Sequence, residues 1–170
     1  MRDVESALRY IDRVSEHSGK IVSLLIALMI ASMAYEVVMR YIFNAPTLWA
    51  FEMVQFLFGA FCILGGAYTL KQQGHVNMDV LYSRFSRRNK AIIDLITSIF
   101  FFLFCGVLLW TGSEFALRSL KALETSYTPW DPPLYPIKLT IPIGVTMILL
   151  QGIAKFSRDL LIVLKKKEVK

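Results

Sequence analysis

The chain has 170 residues, 55% of them hydrophobic, and a mean hydropathy of +0.51. That exceeds the ~45–50% apolar share of soluble domains and excludes an ordinary soluble globular protein. The net charge of +6 lies at the edges of apolar stretches, which points to anionic lipid headgroups rather than nucleic acid.

Residues 2–18 read as an amphipathic helix. Val4, Ala7, Leu8, Ile11 and Val14 recur at three- and four-residue spacing, with Glu5, Arg9, Asp12, Arg13 and Glu16 on the other face. Beside a membrane, such a helix is expected to lie in the inner headgroup plane. Four apolar stretches follow, at about residues 21–39, 48–70, 91–113 and 137–156. Each is close to the ~20 residues that a membrane-crossing helix needs. The expected organisation is an interfacial helix at 1–20, a four-helix transmembrane domain at 21–156 and a basic cytoplasmic tail at 157–170. The N-terminal run carries four acids in its first twenty residues, which argues against a cleaved signal peptide.

Fifteen of the nineteen Lys and Arg residues fall on one side of these spans. Loops rich in Lys and Arg stay in the cytoplasm, so both termini are expected inside. In the first outer connection, Glu36 and Arg40 stand four apart in the favourable order on one helix face. Asn44 and Pro46 supply a turn, and Trp49 suits the outer interface. Glu52 follows, and a short hairpin puts Arg40 and Glu52 at similar depth, either paired or separately solvated.

Gly74 is placed to end the second span, and His75 and Asp79 face each other on the inner turn, as a structural contact or a proton relay. Arg84, Arg87, Arg88 and Lys90 form a basic cluster suited to lipid phosphates. In the second outer connection, Glu114, Arg118 and Lys121 share a face, so the third helix is expected to continue past the membrane. Four prolines within residues 127–136 then stiffen a loop carrying Tyr127, Trp130, Asp131 and Tyr135. That loop suits either an aromatic interface belt or the docking of a soluble partner. Pro142 is expected near the start of the fourth span, where proline costs little.

Cys62 and Cys105 differ in depth by several Å, counting ~1.5 Å per residue, so no disulfide is expected. No metal-ligand spacing, glycine-rich phosphate loop or nucleophile–base set occurs, so neither a cofactor nor an enzyme is implied. The middles of the spans hold no Asp, Glu, His, Lys or Arg, which leaves no group to bind an ion or anionic solute there. An accessory membrane subunit is the economical reading. The alternatives are a small oligomeric channel or transporter, and an assembly factor or enzyme using His75 and Asp79.

The residues Arg40-Tyr41-Ile42-Phe43-Asn44-Ala45-Pro46, then Trp49 and Glu52, then Gly74-His75-Val76-Asn77-Met78-Asp79-Val80-Leu81 resemble the DctQ-type small membrane subunit of TRAP transporters (tripartite ATP-independent periplasmic transporters). Glu36 departs from the family pattern, which often has Gln at that position. The resemblance implies an all-α protein of four transmembrane helices in a bacterial inner membrane. It implies a sodium-coupled system importing an organic acid, such as a dicarboxylate, a sugar acid or sialic acid. The partners implied are a large elevator-type membrane subunit, as a heterodimer, and a periplasmic substrate-binding protein. Arg40, Trp49 and Glu52 would organise the outer hairpin and His75 and Asp79 the inner turn, with no catalytic or substrate-binding residue in this chain.

Overall fold

A computed structural model describes residues 2–72 and 87–165. Four helices account for nearly all of them: α1 (Arg2–Tyr41), α2 (Ala50–Lys71), α3 (Arg87–Ala122) and α4 (Tyr135–Lys165). All four are long and apolar enough to cross a membrane. An isolated β-bridge, Thr125 to Pro133, closes the loop between α3 and α4.

Three helices run beyond the apolar stretches that announce them. α1 is one uninterrupted helix of 40 residues, so no break separates residues 2–20 from the first span. At ~1.5 Å per residue its length is about 60 Å, twice the ~30 Å of a hydrocarbon core. α3 continues to Ala122, as the shared face of Glu114, Arg118 and Lys121 predicts. α4 carries on through Ser157 to Lys165, so the first part of the basic tail is helical. Charged residues on these extensions keep helical hydrogen bonding while reaching polar surroundings.

The helix ends follow from turn chemistry. After α1, Asn44 adopts a left-handed conformation (φ 50) and the Ala45 amide donates to the Met39 carbonyl at 3.0 Å. The left-handed turn closes the helix, with Asn in the place glycine often takes. After α3, Leu123 does the same (φ 46), with the Glu124 amide donating to the Ser119 carbonyl at 3.1 Å. Pro136 sits in the first turn of α4, where its missing N–H costs nothing. Pro142, expected near a helix start, lies inside α4 instead, because the helix begins at Tyr135. It gives up one backbone hydrogen bond there.

The helices stand in the spatial order α1–α2–α4–α3. α2 packs between α1 and α4, α3 leans chiefly on α4, and α1 touches α4 only lightly. The buried apolar positions are mostly small: Ala50, Ala60 and Ala67 on α2, Ala91 and Ala116 on α3, and Ala154 on α4. Large residues such as Phe100, Leu103, Phe104 and Trp110 face outward. This inversion suits lipid surroundings, where close backbone approach replaces the hydrophobic effect as the force between helices. Gly144 shows the tolerance: a Cβ there would stand 2.9 Å from the Ile63 carbonyl oxygen of α2.

Candidate functional site

Polar side chains gather at the two ends of the helices. At the end expected to face outward, Glu36 of α1 is buried although it is a carboxylate. It accepts from Arg40 Nε at 2.9 Å, from the Thr47 amide at 3.0 Å and from the Thr47 hydroxyl. Helical spacing brings Arg40 to Glu36, and the Asn44 turn brings Thr47 back over both. The α1–α2 hairpin is thereby fastened from within. Arg40 and Glu52 do not form the pair that their depth allows. Arg40 turns to Glu36, and Glu52 accepts from the Thr128 hydroxyl at 2.8 Å. A carboxylate one turn away on the same helix needs less ordering than one across a hairpin.

Trp49 immediately precedes α2. Its ring stacks on Tyr35 of α1, with centroids 5.8 Å apart, and meets Trp130 of the outer loop at 6.5 Å. The loop is shaped locally. Asp131 Oδ1 accepts from the Tyr127 amide at 2.9 Å, and the Asp131 amide donates to Thr128 Oγ1 at 3.2 Å. Both Tyr127 (φ 54) and Asp131 (φ 47) are left-handed, a conformation that these hydrogen bonds hold in place. The result is a rigid loop seated on α2 through Trp130 and Thr128, with Tyr127 87% exposed at its tip. Tyr135 opens α4, half-buried.

Beside this loop, Glu124 accepts from Lys138 Nζ at 2.6 Å, and the same ammonium lies 4.1 Å from the Phe115 ring centroid. The lysine holds the Glu124 carboxyl below its ordinary value of 4.5. On α3, Arg118 pairs with Glu114. Three of the four outer cations are thus matched by acids within the chain.

The opposite end, expected to face the cytoplasm, is joined by a network between helices. Ser15 of α1 donates to Gln151 Oε1 of α4 at 3.0 Å, and both side chains are buried. Gln151 Nε2 donates to Asp12 Oδ1 at 3.1 Å, and Arg158 reaches Asp12 Oδ2 at 2.6 Å. Lys71 of α2 pairs with Glu16 of α1 at 3.0 Å, and Lys155 of α4 with Asp94 of α3 at 2.8 Å. Asp12 and Glu16, on the polar face of the N-terminal segment, therefore address other helices, while Tyr10 and Val14 stay exposed. A usable signal was present: Gln151, Lys155 and Arg158 recur at four- and three-residue spacing on α4, opposite Asp12, Ser15 and Glu16 on α1.

Of the basic cluster, Arg87 opens α3, Arg88 is exposed and Lys90 is half-buried on it. His75, Asp79 and Arg84 lie outside the described residues. Both cysteines are free, Cys62 exposed and Cys105 buried. Between the two polar ends the described parts of the spans are apolar, apart from side-chain hydroxyls and the amide of Gln55.

A set of four membrane-crossing helices, stapled at both ends and without charge in the middle, defines a small multi-pass membrane protein of the helical class. The chain belongs to the DctQ component family of tripartite ATP-independent periplasmic transporters, whose family model matches residues 29–161. It is a multi-pass protein of the bacterial inner membrane. Over 95 residues it is 25% identical to the sialic acid TRAP transporter small permease protein SiaQ of Vibrio cholerae serotype O1, a match covering 56% of this chain and 55% of that protein. Over 91 residues it is 30% identical to the C4-dicarboxylate TRAP transporter small permease protein DctQ of the same organism, covering 51% of this chain and 39% of that protein. The matches thus span about half the length, or less, of these relatives.

Proposed function

We propose that this chain is the small scaffold subunit of a sodium-coupled TRAP transporter that imports an organic acid, of dicarboxylate, sugar-acid or sialic-acid type. It partners a large elevator-type membrane subunit as a heterodimer, carries out no chemical reaction and binds neither substrate nor sodium itself. The observation that carries this reading is where the polar groups are used. Asp12, Ser15, Gln151 and Arg158 at one end, and Glu36, Arg40 and Thr47 at the other, tie helix to helix. What lies between is too apolar to coordinate an ion or an anionic solute.

A moving transport domain needs a fixed frame to move against. Helices stapled at both ends supply stiffness, and Arg84, Arg87, Arg88 and Lys90 would hold the frame to inner headgroups. The N-terminal segment, continuous with the first span, braces the frame by joining α1 to α4 through Asp12 and Ser15. The outer loop, with Tyr127, Trp130, Asp131 and Tyr135, helps to receive the periplasmic binding protein. The hairpin residues Arg40, Trp49 and Glu52, and the inner-turn residues His75 and Asp79, serve as structural supports.

The test is reconstitution. The chain alone in liposomes should show no uptake of C4-dicarboxylates or sialic acid. Co-expressed with the large membrane subunit encoded beside it and supplied with the binding protein, it should co-purify and support sodium-dependent uptake. Uptake by the chain alone would overturn the reading, as would failure to co-purify with any larger membrane protein.

A further inference from the structure

Seven of the helix glycines fall into two kinds, and Gly65 lies between them, with only an ordinary contact to Val22 at 3.5 Å. A Cβ on Gly19, Gly66, Gly112, Gly144 or Gly152 would collide with a residue of a neighbouring helix, so the packing of the chain itself calls for glycine there. A Cβ on Gly59 of α2 or Gly106 of α3 would meet nothing within 4 Å. Glycine weakens a helix interior relative to alanine, and at these two positions nothing inside the chain makes use of the missing side chain.

Gly59 is set apart by its neighbour one turn away. Gln55 is exposed on α2, about 9 Å along the helix from the interfacial ring of Trp49 at ~1.5 Å per residue. Its side chain has no hydrogen-bond partner among the described residues. Several other polar groups of the spans are provided for. Ser23, Thr69, Thr97, Thr111 and Thr146 donate to carbonyls of their own helices, and Gln151 is held by Ser15 and Asp12. An amide that can both donate and accept is costly against acyl chains, which can do neither. Phe51, Gln55, Phe58 and Cys62 succeed one another at four-, three- and four-residue spacing, and all four are exposed. They form one stripe of α2 that its packing against α1 and α4 leaves uncovered, with Gly59 beside it.

We propose that this stripe, centred on Gln55 and Gly59, seats a transmembrane helix of the large membrane subunit. That helix presents a hydrogen-bonding group (a hydroxyl, an amide or an uncapped carbonyl) to Gln55, and brings its backbone close at Gly59. Lipid tails satisfy neither demand, and a component of a multi-part transporter has such a helix available. The inference rests on the reading that this chain works with a large subunit, and names the surface that does so.

The experiment uses the full chain, affinity-tagged and co-expressed with the large subunit, with Gln55→Leu and Gly59→Leu as variants. Each should retain about three- to tenfold less large subunit than the unaltered chain, the range expected for losing one interhelical hydrogen bond or one close helix crossing. The melting temperature of each variant purified alone should be unchanged or higher, because neither position has an internal partner to lose. Unchanged retention in both variants overturns the proposal. So does a disulfide between the Cys62 residues of two copies when native membranes are oxidised, since a second copy would then occupy the stripe. If the unaltered chain retains no large subunit, the scaffold reading itself fails and the proposal falls with it. If it does retain the subunit and the variants match it, only the proposal falls.

Discussion

Glu36 accepts from Arg40 one turn away and from Thr47 eleven residues on, so one carboxylate fixes the end of α1 and the path into α2. Replacing it with glutamine removes the charge that strengthens these bonds and leaves one of its donors without an acceptor. Glu36→Gln should cost about 2 kcal/mol, in the range for hydrogen bonds to charged groups, read as a lower thermal midpoint of the detergent-solubilised chain. Half of this arrangement could be read from residue order: Glu36 and Arg40 are helix neighbours whatever the rest of the chain does. Thr47 could not, because its approach depends on Asn44 turning left-handed. The same limit explains Glu52. Depth made Arg40 a candidate partner, but the loop that delivers Thr128 comes from 76 residues away. Glu124 gives a pH prediction at this scale. Its carboxyl is held below its ordinary value by Lys138 when folded, so its contribution is complete above about pH 4.5 and is lost as pH falls through the lower folded value. The difference in thermal midpoint between the unaltered chain and Lys138→Met should therefore shrink when unfolding is followed at pH 3 to 4 instead of pH 7.

Among the elements, α1 departs most from its sequence-based outline. Its N-terminal stretch was legible as a helix, but not as the continuation of the first span. What the polar face meets was not legible, since Asp12 and Ser15 gain meaning only beside Gln151, more than 130 residues away. Gln151 shares a face of α4 with Lys155 and Arg158, but that spacing does not say which helix the face meets. The apolar stretches located all four helices but not their ends, since caps and extensions are set by turn residues and ion pairs rather than by hydropathy. Gln151→Leu should release the start of α1 from α4. Ser15 and Asp12 each lose a partner, which should cost about 1–3 kcal/mol where burial prevents water from replacing it. Backbone amides near residues 12–16 should then exchange faster in hydrogen-exchange mass spectrometry, while those of α3 should not change.

For the molecule as a whole, the placement of charge is more telling than the total. Arg40, Arg118 and Lys138 on the outer side are each matched by Glu36, Glu114 and Glu124, so little uncompensated positive charge is left there. On the inner side, Arg13, Lys20, Arg88 and Lys90 have no salt-bridge partner among the described residues. The asymmetry predicts that reporter fusions at either terminus are active in the cytoplasm, and that a cysteine at Tyr127 reacts with an impermeant maleimide added outside the inner membrane. The order α1–α2–α4–α3 carries a further consequence. It divides the polypeptide into two antiparallel pairs that meet chiefly along an α2–α4 seam, where Gly144 lies against Ile63 and Gly66 against Ile148. Each pair carries its own fastening, Glu36 with Thr47 in the first and Glu124 with Lys138 in the second. Severed between residues 72 and 87 and expressed as two fragments, the halves should find each other in the bilayer and elute as one species. A bulky replacement at Gly144 should abolish that reunion while leaving each half able to insert.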